Sequence, residues 1–417
     1  MVLLAMLLLH AFLWLRLVRS TTRPGRLRRW LTVLTVVLAV LPTAAVVGRR
    51  SLPFSVQGPL DWVGYSWLGV AFYAFLALLV LEPVRWVLRA VQRRRAPAPA
   101  PAPAAEPATA PGPEPDAEPT AEPTAEPTAV PAAAPADVSR RLFLARSLAV
   151  TAGVAALSTA GYGAWAANSA PVVRRVPIRI AGLAPELAGY TVVTFSDGHL
   201  SATYGGRRFE RLVETVNAQQ PDVVAIVGDL VDGSLSELRE DVAPLGDLVS
   251  RQGAFFVTGN HEYFVPDTED WLRHLPTLGV DVLRNERVEL GRSGASFDLA
   301  GIDDRTAAES GLPGHGADLD AALDGRDDSR PVVLLAHQPV QVEQARAAGV
   351  DLQLSGHTHG GQLWPFDYAV LLDQPAVEGL SRQGDTQLYV TAGAGYWGPP
   401  MRVGARPEVT VIELQPA

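Results

Sequence analysis

Two histidines, His357 and His359, stand one residue apart in LSGHTHGGQ, in a chain of 417 residues with eight histidines and no cysteine. Four earlier apolar runs end in similar groups. TVVTFSDGH closes on Asp197 and His199, VVAIVGD on Asp229, AFFVTGNHE on Asn260 and His261, and VVLLAHQP on His337. Carboxylate, amide oxygen and imidazole without sulfur suit Mn, Fe, Zn or Ni better than a soft metal. Two aspartates, one asparagine and four histidines exceed the needs of one ion. They suffice for two ions that share a bridging carboxylate, the arrangement that activates water and clamps an in-line phosphoryl displacement. One such histidine alone would more often be a satisfied core group. A series of five runs ending this way is not a scatter of core histidines.

The elements that must hold these groups are legible nearby. YTVVTF, DVVAIV, AFFVT, VVLLA, DLQL, QLYVTA and EVTVIEL read as short buried strands, and GRRFERLVETVNAQQ as a helix with Phe209, Leu212, Val213 and Val216 on one face. Strands alternating with helices predict an α/β fold. Ligands in such sheets bind beyond the carboxyl ends of the strands, where the motif residues stand. Neighbouring glycines (Gly198, Gly228, Gly259, Gly356) permit tight turns there. Asp232 and Glu262 are either partners that orient the ligands or solvated turn residues. His274 and His315 fall outside every motif and are expected at the surface. Asp303 and Asp304, at the end of LAGIDD, are expected to be structural.

The order D-x-H, G-D-x-x-D, G-N-H-E, H, G-H-x-H resembles the calcineurin-like metallophosphoesterases over roughly residues 175–415. The resemblance implies an αββα sandwich with a dinuclear centre of divalent Mn, Fe or Zn. One ion would take Asp197, His199 and His359, the other Asn260, His337 and His357, with Asp229 bridging. A hydroxide between the ions would attack phosphorus, and His261 would stabilise or protonate the leaving oxygen. GAGYWGPPMR is similar to a closing loop of the family, which sets Tyr396, Trp397 and Arg402 beside the substrate. Within the family, the chain looks most like the bacterial membrane-associated branch, labelled by similarity to UDP-2,3-diacylglucosamine hydrolase. The implied activity is hydrolysis of a phosphomonoester, phosphodiester or diphosphate. A nuclease or cyclic-nucleotide phosphodiesterase would use the same centre, and a non-catalytic envelope sensor would need no proton donor such as His261.

The rest of the chain has another character. Apolar runs at 2–18, 30–48 and 62–81 approach the ~20 residues that span a bilayer. They place three transmembrane helices in a membrane region, residues 1–95. Residues 96–138, rich in Pro and Ala with an AEPT repeat, are expected to form an extended linker. Residues 139–170 hold SRRLFL, which resembles a twin-arginine export signal or is simply a charged flank, and a fourth apolar run. Residues 171–417 form the catalytic domain. Arginines cluster at 19–29, 85–95 and 140–141, which puts those ends in the cytoplasm and the catalytic domain outside a bacterial cell membrane. Arg49 and Arg50 violate that pattern, because they fall on the outer side. The net charge of −9 excludes a general nucleic-acid binder. An outward site fits a cell-envelope or lipid-linked phosphoester as substrate.

Overall fold

The computed structural model describes residues 2–49, 52–94 and 135–417. Helix α1 (Val2–Leu13) continues through a π-helical turn, Trp14–Arg19, and is followed by α2 (Arg26–Gly48), α3 (Phe54–Arg94) and α4 (Pro135–Asn168). In apolar surroundings the backbone amides of such uncharged runs find partners only in one another, and a helix satisfies them locally. Among the described residues, three segments are long and apolar enough to cross a membrane: Arg26–Gly48, Phe54–Val91 and Arg140–Asn168. The run at 2–18 forms the shorter α1 and its π-turn, which pack on α3. Phe12 meets Phe75 edge-on at 5.4 Å, and Trp67 Nε1 donates to His10 Nε2 at 3.0 Å. Small residues let α3 and α4 approach closely, with Ala71, Ala74, Ala152 and Ala156 buried together. The expected linker lies outside the described residues as far as 134, and its last four residues already belong to α4.

Two six-stranded sheets follow. The first takes β1 (Val172–Ile180), β2 (Tyr190–Phe195), β3 (Val223–Val227), β4 (Ala254–Val257), β5 (Val280–Val282) and, from the end of the chain, β12 (Glu408–Pro416), in the order β1-β12-β2-β3-β4-β5. The second takes β6 (Glu286–Arg292), β7 (Ala295–Gly301), β8 (Val332–Leu335), β9 (Leu352–Ser355), β10 (Gly379–Gln383) and β11 (Thr386–Val390), in the order β10-β11-β9-β8-β7-β6. Strands β2 to β5 are parallel, as are β7, β8, β9 and β11.

The alternation of side chains makes the layers. Val192, Val223, Ala225 and Val257 of the first sheet meet Phe297, Leu299, Val333, Leu335 and Leu354 of the second in a buried interior. Each such valine, leucine or phenylalanine side chain stabilises the sandwich by about 1.5–3 kcal/mol. The opposite faces are covered by helices. On the first sheet, α5 (Arg207–Asn217), α6 (Leu235–Val242) and α7 (Thr268–His274) bring Phe209, Leu212, Val213, Leu238 and Trp271 onto Val193, Phe195 and Ile226. On the second, α8 (Leu319–Leu323) and α9 (Val342–Ala347) bring Leu319, Ala322 and Ala345 onto Val332 and Leu334. The architecture is the expected αββα sandwich.

The sandwich also touches the apolar helices. Tyr73 Oη donates to the Trp364 carbonyl at 3.1 Å, and Arg402 N donates to the Gly163 carbonyl at 2.9 Å. Met401 lies against Gly69 and Gly163, where a Cβ would come within 2.5 Å of its Sδ and 3.2 Å of its Cβ. Those two glycines let the loop that follows β11 seat on α3 and α4.

Candidate active site

The motif groups converge where β2, β3, β4, β8 and β9 end. The backbone there is unusual. Asp197, His199, Asp229, His357 and His359 have φ of 53°, 47°, 52°, 70° and 53°. Left-handed backbone costs a non-glycine residue about 1–3 kcal/mol and survives only where the surroundings over-determine it. Here each turn swings a side chain back over the strand ends. Gly228 and Gly259 are required by crowding. A Cβ on Gly228 would stand 2.6 Å from His337 Nδ1, and one on Gly259 would collide with Asp229 Oδ1.

The ligating atoms face one another. His199 Nε2 lies 2.9 Å from His359 Nε2, and His359 Nε2 lies 3.3 Å from Asp197 Oδ1. His337 Nδ1 is bonded to the Val227 carbonyl at 2.8 Å, which turns Nε2 to within 3.0 Å of Asp229 Oδ2. Among the described residues, three groups have donor atoms within 4.8 Å of each other: Asp197, His199 and His359; His199, Asp229 and His261; Asp229, His337 and His357. Among the described residues, Asn260 Oδ1 and His337 Nε2 are buried without a hydrogen-bond partner. Orphaned buried acceptors in a sulfur-free set of carboxylates and imidazoles fit divalent cations. Asp229 belongs to the second and third groups and His199 to the first and second, so the three run into one another.

The two residues whose roles the sequence left open have buried side chains. Asp232 Oδ1 is bonded to His199 Nδ1 at 3.0 Å and to His261 Nδ1 at 2.6 Å. Burial alone would raise its pKa, but the two imidazoles hold the carboxyl well below the usual range. Glu262 accepts from the amides of Gly259 at 2.7 Å, Asp229 at 2.9 Å and Leu230 at 2.7 Å. It ties the loop after β4 to the loop after β3. Burial and the nearby Asp229 push its carboxyl up to about 7, against the pull of those amides. His261 sits at the rim of the site. Burial opposes its charge, yet Asp232 and Asp229 prevail and raise it to about 9.

The closing loop departs from expectation. Arg402 is fully buried and donates to the carbonyls of His359 and Ala392 at 2.7 Å and of Gly395 at 2.5 Å, with Nη2 3.1 Å from His359 Nδ1. Its donors are consumed in holding His359 and the loop, so it does not offer a fork to a phosphate. Tyr396 is buried as well and donates to the Thr203 carbonyl at 2.9 Å. Trp397 does border the site, 51 % exposed with its ring 5.8 Å from that of His261. Phe264, 65 % exposed and 5.0 Å from His261, borders it too and carries no motif signal. Asp303 is paired with Arg284 at 2.7 Å and Asp304 accepts from Gln338 at 3.0 Å, both structural as expected. His315, in no donor group, is bonded at 3.1 Å to the Oη of Tyr263, the residue after Glu262.

The profile of the Calcineurin-like phosphoesterase family matches residues 190–361. An "Uncharacterized metallophosphoesterase" of Helicobacter pylori (strain J99) is 37 % identical over 280 residues, which cover 67 % of this chain and 73 % of that one. The chain belongs to the calcineurin-like metallophosphoesterases. A "Transmembrane protein with metallophosphoesterase domain" of Bos taurus is 41 % identical over 290 residues, 67 % of this chain. The match spans 65 % of the cattle protein's own length, just under two thirds. The "Uncharacterized metallophosphoesterase YkuE" of Bacillus subtilis is 30 % identical and is covered over 98 % of its length. In this metallophosphoesterase, the family's profile takes in all five motifs from Asp197 to His359.

Proposed function

We propose that the domain hydrolyses a phosphoester at a dinuclear centre. The single observation that carries this reading is Asp229, whose carboxylate groups with His199 and His261 on one side and with His337 and His357 on the other. Asp197, His199 and His359 would hold one divalent ion and Asn260, His337 and His357 the other, with Asp229 common to both. Bound ions would supply a water acidic enough to attack phosphorus, together with positive charge on the phosphoryl oxygens. The chain's own residues do the rest. Asp232 fixes His199 and His261 through their Nδ1 atoms, leaving Nε2 of each directed away from it. A pKa near 9 keeps His261 protonated at neutral pH, ready to give its Nε2 proton to the leaving oxygen. Glu262 and Arg402 hold the loops.

We further read the protein as anchored in a membrane, with this domain on the outer side and a lipid-linked phosphoester as substrate. The arginine clusters at one end of the apolar helices support the orientation. Exposed Trp364, Phe366 and Leu372, in the loop that begins beside Tyr73 of α3, support a substrate presented at the bilayer surface.

The test uses the full chain in detergent with aryl phosphate mono- and diesters. Turnover is expected with Mn and is lost with chelator or in Asp229→Ala. A metal-loaded protein that hydrolyses none of these, nor a lipid phosphate, contradicts the reading.

A further inference from the structure

The outer-side Arg49 that breaks the arginine pattern has a place in the site. It follows the last residue of α2, where the chain turns back toward α3. Its Nη1 lies 3.7 Å from Asp232 Oδ2, and its Nε lies 3.8 Å from Asp61 Oδ2 on α3. The guanidinium packs over the Tyr65 ring, 5.2 Å from its centroid. Asp232 uses Oδ1 for both His199 and His261, and turns Oδ2 to Arg49.

Asp61 is the second observation. It is 3 % exposed near the start of α3, directly before the uncharged run 62–81, and takes a hydrogen bond from Gln57 Nε2 at 2.6 Å. An ionisable residue buried in such a helix is costly unless it has a partner and a use. Its partner is Arg49, and the pair brings a guanidinium to the carboxylate that orients two active-site imidazoles.

The hairpin of α2 and α3 is docked where this requires. The Phe54 ring lies against Gly233, next to Asp232, with Cζ 2.6 Å from where a Cβ would stand. Gly58 abuts the Ala202 carbonyl in the loop after His199, 3.1 Å from a built Cβ. Trp62 lies under the Arg208 guanidinium at 5.7 Å. These three contacts hold the end of the hairpin over the loops that carry His199 and Asp232.

We infer that Arg49 is a positioning residue of the active site, holding Asp232 against His199 and His261 and making the membrane hairpin part of the catalytic machinery. The inference rests on the phosphoesterase reading. It assigns Arg49 no contact with substrate, since its guanidinium is occupied by two carboxylates.

The experiment compares the full chain with Arg49→Met, Arg49→Lys, Asp232→Asn and the double variant Arg49→Met/Asp232→Asn, on an aryl phosphate with saturating Mn. Bound metal and melting temperature are measured for each. Arg49→Met is expected to lower kcat about tenfold with KM unchanged, and Arg49→Lys to recover part of that loss. In the Asp232→Asn background, Arg49→Met is expected to cost nothing further. Wild-type kcat in Arg49→Met overturns the inference, as does a loss confined to KM or one that adds in full to that of Asp232→Asn. Where Arg49→Met does not fold, Arg49→Lys decides: a charge retained at this place with kcat no better than that of Asp232→Asn overturns it. A wild type without turnover under any metal overturns the phosphoesterase reading and this inference with it.

Discussion

At the scale of single residues, the proposed chemistry turns on the groups around His261, of which the His199 ring lies 4.6 Å away. Asp232 holds Nδ1 of His261 at 2.6 Å, and Phe264 and Trp397 flank its ring. Burial favours the neutral imidazole, and the two aspartates overcome it, which places the pKa near 9. A proton donor with that pKa is loaded at neutral pH and is emptied as pH rises through about 9. Turnover should therefore fall as pH rises through the His261 pKa, and His261→Gln should remove that limb while lowering kcat about 10²–10⁴-fold at neutral pH. Metal content should stay normal in this variant. Glu262 makes a different prediction. Glu262→Ala leaves four buried amides, those of Asp229, Leu230, Val231 and Gly259, without this acceptor, and thermal unfolding should show a loss of about 3 kcal/mol or more.

At the scale of elements, the sequence made the centre of each sheet plain and its margins obscure. β2, β3, β4, β8 and β9 are buried on both faces and read as continuous apolar runs. α5 showed its buried face through Phe209, Leu212, Val213 and Val216. β6 and β10 lie at the edges of their sheet, half exposed, with polar residues such as Glu286, Arg287 and Arg382 that resemble loop composition. The candidate ligands were legible because each sits at a fixed offset from a buried strand. The left-handed backbone of Asp197, Asp229 and His357 was not, since nothing in a side chain's type announces its φ. Arg49 and Asp61 were hidden for another reason: they reach the site from a distant part of the chain, through packing that no local pattern encodes. The crowding between loops gives a test at this scale. Gly259→Ala drives a methyl into Asp229, so it should lower both metal affinity and turnover, whereas Gly246→Ala, with nothing nearer than 3.9 Å, should leave both unchanged.

At the scale of the whole molecule, the sandwich sits on the apolar helices at the end where its own catalytic loops lie. Met401 meets Gly69 and Gly163, Tyr73 holds the Trp364 carbonyl, and Phe54 reaches Gly233 beside Asp232. Trp364, Phe366 and Leu372, the last 89 % exposed, stand on the loop between the histidine pair and β10. Replacing all three by serine should lower hydrolysis of a lipid phosphate presented in vesicles, while a soluble aryl phosphate is turned over as before. Equal losses on both would assign the loop to folding rather than to the bilayer surface. The helices apolar enough to cross a membrane were evident from length and composition. Their docking on the site was not, because small residues such as Gly69 and Gly163 carry no mark of what they meet.

The most direct measurement is a metal titration of the apo full chain that records ions bound and turnover of an aryl phosphate on the same samples. Two ions per chain are predicted, with turnover rising as the second binds and both lost in Asp229→Ala. A single ion sufficient for full turnover, or two ions bound with no hydrolysis of any aryl or lipid phosphate, would contradict a shared Asp229 at the centre of a dinuclear phosphoesterase.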